Sequence, residues 1–128
     1  MKTKKELIYA DECYLIMGLV FKVFKELGFG HKESFFQKAL AKIFRDNNIP
    51  FKEQVRCKLK YRGEELGIYI IDFVLYDKIV IEIKQRNFIS NKDINQLYKY
   101  LRATNLKLGL IITFTSEGAK YKRVVNIS

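Results

Sequence analysis

Residues 66–84 read LGIYIIDFVLYDKIVIEIK: two runs of β-branched, aromatic and aliphatic residues separated only by Tyr76-Asp77-Lys78. Such runs favour strands, and a break this short leaves little room for anything but an antiparallel hairpin. The spacing predicts strands over Leu66–Leu75 and Ile79–Lys84. Three charges interrupt them: Asp72, Glu82 and Lys84. If Tyr76–Lys78 is the loop, Leu75 pairs with Ile79, and counting outward sets Asp72 opposite Glu82. Directly opposed side chains have Cβ atoms about 4.5–5.5 Å apart. Lys84, two residues beyond Glu82, then points to the same face. A two-residue turn would shift the register and send Asp72 to the other face.

The flanking segments add elements on both sides. Phe51 to Tyr61 alternates, with Phe51, Val55, Cys57, Leu59 and Tyr61 on an apolar face and Glu53 as its misfit. Lys52, Gln54, Arg56, Lys58 and Lys60 form the opposite, positive face, and "RGEE" turns the chain into the next strand. Earlier, Thr3-Lys4-Lys5-Glu6 has the form of a capping box that can start a helix. That helix carries Cys13, Ile16, Met17, Val20, Phe21, Phe24 and Leu27 at helical spacing, with Gly28 as its C-terminal cap. A second helix is expected over about residues 32–46, with Phe36, Ala39, Leu40 and Ile43 inward, ended by "DNNIP". After the hairpin, Ser90-Asn91-Lys92-Asp93 opens a helix with Ile94, Leu97 and Leu101 inward. Leu106–Thr113 reads as a buried strand, and "KYKRVVNI" as a last edge strand. A helix between the third and fourth strands implies a parallel, right-handed crossover. The expected order is ααβββαβ with a terminal strand: an α/β fold in which a mixed sheet, part antiparallel meander and part β-α-β crossover, is flanked by helices.

A chain of 128 residues supports one core and is too short for two, so residues 1–128 read as a single domain. No apolar run approaches the ~20 residues that span a bilayer. The basic start lacks a signal-peptide core, so a cytoplasmic location without membrane association is expected. Cys13 and Cys57 make neither a disulfide framework nor a zinc pattern, and read as small packing residues. Lys and Arg total 24 against 14 Asp and Glu, a net charge of +10. On so small a domain that excess points to a polyanionic partner.

Opposed carboxylates destabilise a hairpin unless something compensates them. With Ile70, Val74 and Val80 as same-face neighbours, water access at Asp72 and Glu82 is expected to be limited. A hard divalent cation such as Mg²⁺ solves the problem, since two carboxylates leave room for waters and phosphate oxygens. Lys84 could then neutralise a scissile phosphate or sit beside the attacking water, and it can stabilise charge as it develops in the transition state. The plainer alternative is that Glu82 and Lys84 are outward residues of an exposed hairpin. Glu33 precedes Phe36 by three and Leu40 by seven, which places it on the apolar side of its helix, facing inward. Its plainer alternative is a first-turn acid that complements the helix dipole.

The stretch from Gly30 through His31, Lys32, Glu33, Ser34 and Phe35 to Phe36 resembles the signature of the GxxExxY proteins, small members of the PD-(D/E)xK nuclease superfamily. The resemblance spans about residues 7–125, through "KELGFGHKESFF", "YRGEELGIYIIDFVLYDKIVIEIK" and "QLYKYLRATNLKLGLIITF". The ordered set Glu33, Asp72, Glu82-x-Lys84 and Gln96 carries it. Phe36 stands where the family name has Tyr, Phe24 where relatives commonly have His, and Phe29 where they have Pro.

The resemblance implies a restriction-endonuclease-like core and roles by position. Asp72 and Glu82 become metal ligands, joined by the backbone carbonyl of Ile83, with Glu33 a further ligand, direct or through water, and Lys84 the catalytic lysine. Gln96 and Tyr100 are similar to the QxxxY pattern of RecB-type exonucleases, where a helix helps position the strand. The implied activity is Mg²⁺-dependent hydrolysis of DNA, or alternatively RNA, with Mn²⁺ able to substitute and products bearing 5′-phosphate and 3′-hydroxyl ends. Arg56, Lys58, Lys60, Lys99 and Arg102 are the candidate backbone contacts. A homodimer is a further expectation. The alternative is a catalytically inactive module that keeps the fold and binds nucleic acid or protein.

Overall fold

A computed structural model describes residues 8–127. Two tight turns set its meander. Arg62 and Gly63 take left-handed φ values of 49° and 84° between paired Tyr61 and Glu64, joining β1 (Phe51–Tyr61) to β2 (Glu64–Leu75). A turn with both central residues left-handed matches the twist of its strands, and glycine suits it. Tyr76 and Asp77 are also left-handed, at 57° and 56°, and the Lys78 N–H donates to the Leu75 carbonyl at 3.0 Å. This loop joins β2 to β3 (Ile79–Lys84) with Leu75 opposite Ile79, the register that three intervening residues require.

The helices are α1 (Ala10–Leu27), α2 (Glu33–Asp46) and α3 (Asn91–Thr104), followed by β4 (Leu108–Thr115) and β5 (Gly118–Val125). The strands form one sheet in the order β1-β2-β3-β4-β5. Only β3 and β4 pair in parallel, with α3 between them in sequence; the other neighbours are antiparallel. The capping box foreseen at Thr3–Glu6 lies outside the described residues. The last three elements begin within two residues of where periodicity sets them.

Two apolar cores sandwich the sheet. On one side Ile16 and Val20 of α1 and Phe36, Leu40 and Phe44 of α2 meet Phe73, Ile81, Ile83 and Phe114. Phe36 stacks on Phe114 with centroids 4.1 Å apart. On the other side Leu97, Tyr100 and Leu101 of α3 meet Ile71, Val74, Val80 and Ile111. The buried seam of α1 is narrower than its apolar composition suggests. Cys13, Ile16, Met17, Val20 and Val23 are buried, while Phe21 and Leu27 are substantially exposed, and Phe21 meets Tyr121 edge-on instead. In α2, Ala41 and Phe44 are buried where the pattern had Ala39 and Ile43, which are half-buried.

Ser90 caps α3: its hydroxyl accepts from the Asp93 N–H at 3.1 Å, and the Asp93 carboxylate accepts from the Ser90 N–H at 3.1 Å. Arg86 donates to the same carboxylate. Ser90→Ala removes one side of this reciprocal cap and is expected to cost about 1 kcal/mol in urea unfolding. An unchanged midpoint would mean that Asp93 and Arg86 alone hold the helix start.

The β1–β2 pair is irregular at two places: its register shifts by one between Leu59 and Lys60, and a second break lies deeper in the sheet. The β1–β2 register runs continuously from Phe51↔Leu75 to Leu59↔Gly67, but the pair Gln54/Asp72 is missing from it. Gln54 has φ of 48° in the middle of a strand. Phe51, Phe73 and Leu75 pack with α1 and α2, whereas Val55, Cys57, Tyr69 and Ile71 pack with α3. All seven have odd numbers and would share one face of a regular hairpin. Both strands therefore exchange faces at Gln54/Asp72, and the single apolar face read from residues 51–61 is in fact two half-faces. Beyond the exchange, Ile70 is left half exposed rather than screening Asp72.

Candidate active site

The site forms where the β2–β3 ladder opens. Backbone pairing ends at Phe73↔Ile81, and the next step outward brings Asp72 against Glu82. Side chains replace the ladder there. The Asp72 N–H donates to Glu82 Oε1 at 3.1 Å, and the Ile83 N–H donates to Asp72 Oδ2 at 2.7 Å. Each acid thus accepts a backbone hydrogen bond from the strand opposite, which locks the two carboxylates side by side. Lys84 Nζ lies 3.8 Å from Glu82 Oε2, in a side chain about one-quarter exposed.

Electrostatics follow from this crowding. Burial, then the charge of Asp72, pushes the Glu82 carboxyl up to about 7, against the Asp72 N–H and Lys84. Burial also raises Asp72, although the Ile83 N–H, Gln54 and Lys84 all favour its charged form. Two acids that resist ionisation beside one ammonium form a site that a cation would relieve.

Glu33 is the first residue of α2 and is exposed, so it does not point into the core as its helical phase suggested. The helix presents its N-terminal end at the sheet's open cleft, and there phase no longer determines burial. Glu33 and Asp72 line that cleft together with Gln37 and Gln54. Although the residue is exposed, partial shielding of its carboxyl from water in the cleft, then the charge of Asp72, raises Glu33, against Lys84 and Arg86. Among the described residues, no three His, Cys, Asp or Glu side chains close into a metal-binding group. Glu33 is therefore electrically coupled to the acid pair without closing on it.

Gln96 and Tyr100 reach the site from the other side of the sheet. They line one small pocket with Glu82, Lys84, Asp93 and Tyr69. Tyr100 is buried, and burial raises its phenol. The basic residues divide. Lys99 lies along a groove with Tyr69, Lys92, Asn95 and Gln96. Arg56, Lys58 and Lys60 project from the face of the β1–β2 arm opposite Val55 and Cys57, Lys58 with Glu65 at 3.9 Å. Lys52 pairs with Asp77 at 3.0 Å, and Arg102 sits exposed in the last turn of α3.

Sequence reasoning passed over two amides that touch Asp72. Gln54 Nε2 donates to Asp72 Oδ1 and Gln37 Nε2 to the Asp72 carbonyl, both at 3.3 Å. Counting along the first hairpin finds neither: extended inward from Tyr61↔Glu64, the register sets Gln54 across from Ile71, and a one-residue shift between Leu59 and Lys60 moves it to Asp72.

The donor set fits a small hard divalent cation in kind: carboxylates on neighbouring strands and a strand carbonyl, all oxygen, with few protein ligands. No described helix is long and apolar enough to cross a membrane.

Comparison with known proteins bears on this geometry. The family model described as PD-(D/E)XK nuclease superfamily matches residues 10–124. A search of curated proteins finds no match. Among solved structures, the crystal structure of SSO0001 is similar at a TM-score of 0.54 and 18% identity, over 95% of this chain. This chain spans 61% of that one, and the likeness concerns the fold alone. The mixed five-stranded sheet flanked by helices is restriction-endonuclease-like.

Proposed function

This chain belongs to the PD-(D/E)XK nuclease superfamily, and from that premise we propose that it is a Mg²⁺-dependent nuclease that hydrolyses phosphodiester bonds of DNA. The superfamily consists generally of nucleases, which typically use divalent metal ions. The observation that carries the reading is the interlocked pair Asp72–Glu82 with Lys84 alongside. The narrower kinship with GxxExxY proteins rests on Gly30 and Glu33, with Phe36 in place of the motif's Tyr, and is part of the same proposal.

Asp72, Glu82 and the Ile83 carbonyl are the ligands in this reading. A cation held there supplies polarisation of the scissile phosphate and a lowered pKa for the attacking water. Lys84 stabilises negative charge as it accumulates on the phosphate oxygens. Glu33, across the cleft, adds negative potential that favours cation uptake. Gln96 and Tyr100 hold the strand from the α3 side. The protein works as a cytoplasmic domain on DNA, and two copies act together on duplexes.

The test is incubation with supercoiled, linear and single-stranded DNA and with RNA, in Mg²⁺, in Mn²⁺ and in a chelator. Cleavage that requires the metal and is lost in Glu82→Ala supports the reading. Metal-independent cleavage, or none of any substrate, counts against it. Tight nucleic-acid binding without cleavage would favour an inactive binding module.

Salt dependence should tell which basic surface meets the substrate. Each phosphate that a side chain neutralises adds about 0.9 to the slope of log K against log salt on duplex DNA. Lys99→Ala is expected to make that slope shallower by about this amount, measured by fluorescence anisotropy in Ca²⁺. An unchanged slope there, with a shallower one in Arg56→Ala, would place the DNA on the β1–β2 arm instead.

A further inference from the structure

The left-handed step in β1 has no turn to serve. Gln54 stands mid-strand at φ 48°, in a region where a long side chain is uncommon and costs backbone energy. Residues held this way persist where the surroundings demand them, and they cluster at functional sites. Here the distortion replaces the missing Gln54/Asp72 rung of the β1–β2 ladder with a side-chain contact. Gln54 Nε2 donates to Asp72 Oδ1, on the residue directly across in the register.

The remaining contacts of Asp72 follow the same plan. Oδ2 accepts from the Ile83 N–H, and the backbone carbonyl accepts from Gln37 Nε2. A carboxylate has about four lone-pair positions. With one taken on each oxygen, Asp72 is fixed in rotation and still keeps a lone pair on each oxygen for a further ligand. A regular strand at residue 54 would carry the side chain to a face and return the backbone to the ladder.

We infer that Gln54 is a positioning residue, held in a strained backbone conformation so that its carboxamide orients Asp72 for a divalent cation. The inference rests on the nuclease reading of the acid pair and adds a residue to it. Outer hydrogen-bond partners of a metal ligand typically change affinity or activity about 10–100-fold when removed.

Two substitutions separate orientation from architecture. Gln54→Gly accepts the positive φ and deletes the carboxamide. Gln54→Met keeps the length and deletes only the hydrogen bond. Calorimetry with Mn²⁺ alone, without nucleic acid, is expected to show binding about tenfold weaker in both variants. In single-turnover cleavage both should lose about tenfold in rate, with the half-saturating DNA concentration within about twofold of wild type. Metal-free Gln54→Gly should melt at or above the wild-type temperature, because glycine relieves the strain.

In the metal-free protein, the side-chain amide NMR signal of Gln54 should move on Asp72→Asn. Wild-type Mn²⁺ affinity in both variants, with the wild type binding Mn²⁺, overturns the role of Gln54 and leaves the acid pair standing. Weaker binding in Gln54→Gly alone, with a lowered melting temperature, also overturns it, by making residue 54 merely architectural. A wild type that neither binds Mn²⁺ nor cleaves overturns the nuclease reading and this inference together.

Discussion

Lys84→Ala is expected to lower the rate of DNA cleavage by on the order of 10²–10³-fold, with the protein still folded and still binding DNA. The side chain sits at the rim of a partly closed site, 3.8 Å from Glu82 Oε2. Its charge favours the ionised forms of Asp72, Glu82 and Glu33 alike. Removing it therefore has two effects with one sign. It withdraws positive charge from a phosphate whose negative charge grows in the transition state. It also leaves the carboxylates harder to ionise, which weakens metal uptake. Single-turnover kinetics at saturating Mg²⁺ isolate the first effect, and a Mg²⁺ titration exposes the second. Lys84→Arg keeps the charge but not the compact ammonium, and is expected to recover metal uptake more fully than rate. A rate within about threefold of wild type in Lys84→Ala would remove this residue from the mechanism.

Glu82→Gln is expected to stabilise the metal-free protein at pH 8 by on the order of 2–3 kcal/mol while abolishing cleavage. In the folded chain the Glu82 carboxyl titrates near 7, well above its ordinary value of 4.5. Between those values the native state holds a proton that the unfolded state has already released, so unfolding releases protons and native stability falls as pH rises. The penalty starts near pH 4.5 and is complete above about pH 7. Glutamine carries no charge at any of these pH values, so the variant escapes the penalty. Its advantage should shrink markedly by about pH 5. Urea unfolding in a chelator at pH 5 and pH 8 gives both differences. Saturating Mg²⁺ at pH 8 is expected to stabilise the wild type and leave Glu82→Gln nearly unmoved, reversing their order. Equal stability at both pH values would mean that water reaches the site freely and that the two acids do not compete.

On the nuclease reading, stability given up at the acid pair is recovered on cation binding, which is why polar residues stand within a sheet of Ile, Val and Phe. Phe36 makes the complementary point. It stands where the GxxExxY name has Tyr, and it is fully buried and stacked on Phe114, 4.1 Å between centroids. At this position the ring serves the core beneath α2, and a hydroxyl would need a partner there.

Sequence alone determined the strands, their turns and the central opposition of charges. Tyr76-Asp77-Lys78 between two apolar runs permits few loops, and loop length sets register, so Asp72 meeting Glu82 followed from counting. Helix α3 likewise announced both its cap, Ser90 with Asp93, and its inward residues Leu97 and Leu101. Only the tertiary structure decided what lies around that pair. A left-handed φ at Gln54 exchanges the faces of β1 and β2, exposes Ile70 and separates Arg56, Lys58 and Lys60 from Lys99. Glu33 reaches the cleft because α2 begins there, and its helical phase pointed elsewhere. The physical reason is one of range. Alternation and turn chemistry are local and repeat along the chain, whereas one backbone torsion or one helix end acts on residues distant in sequence and leaves no periodic trace.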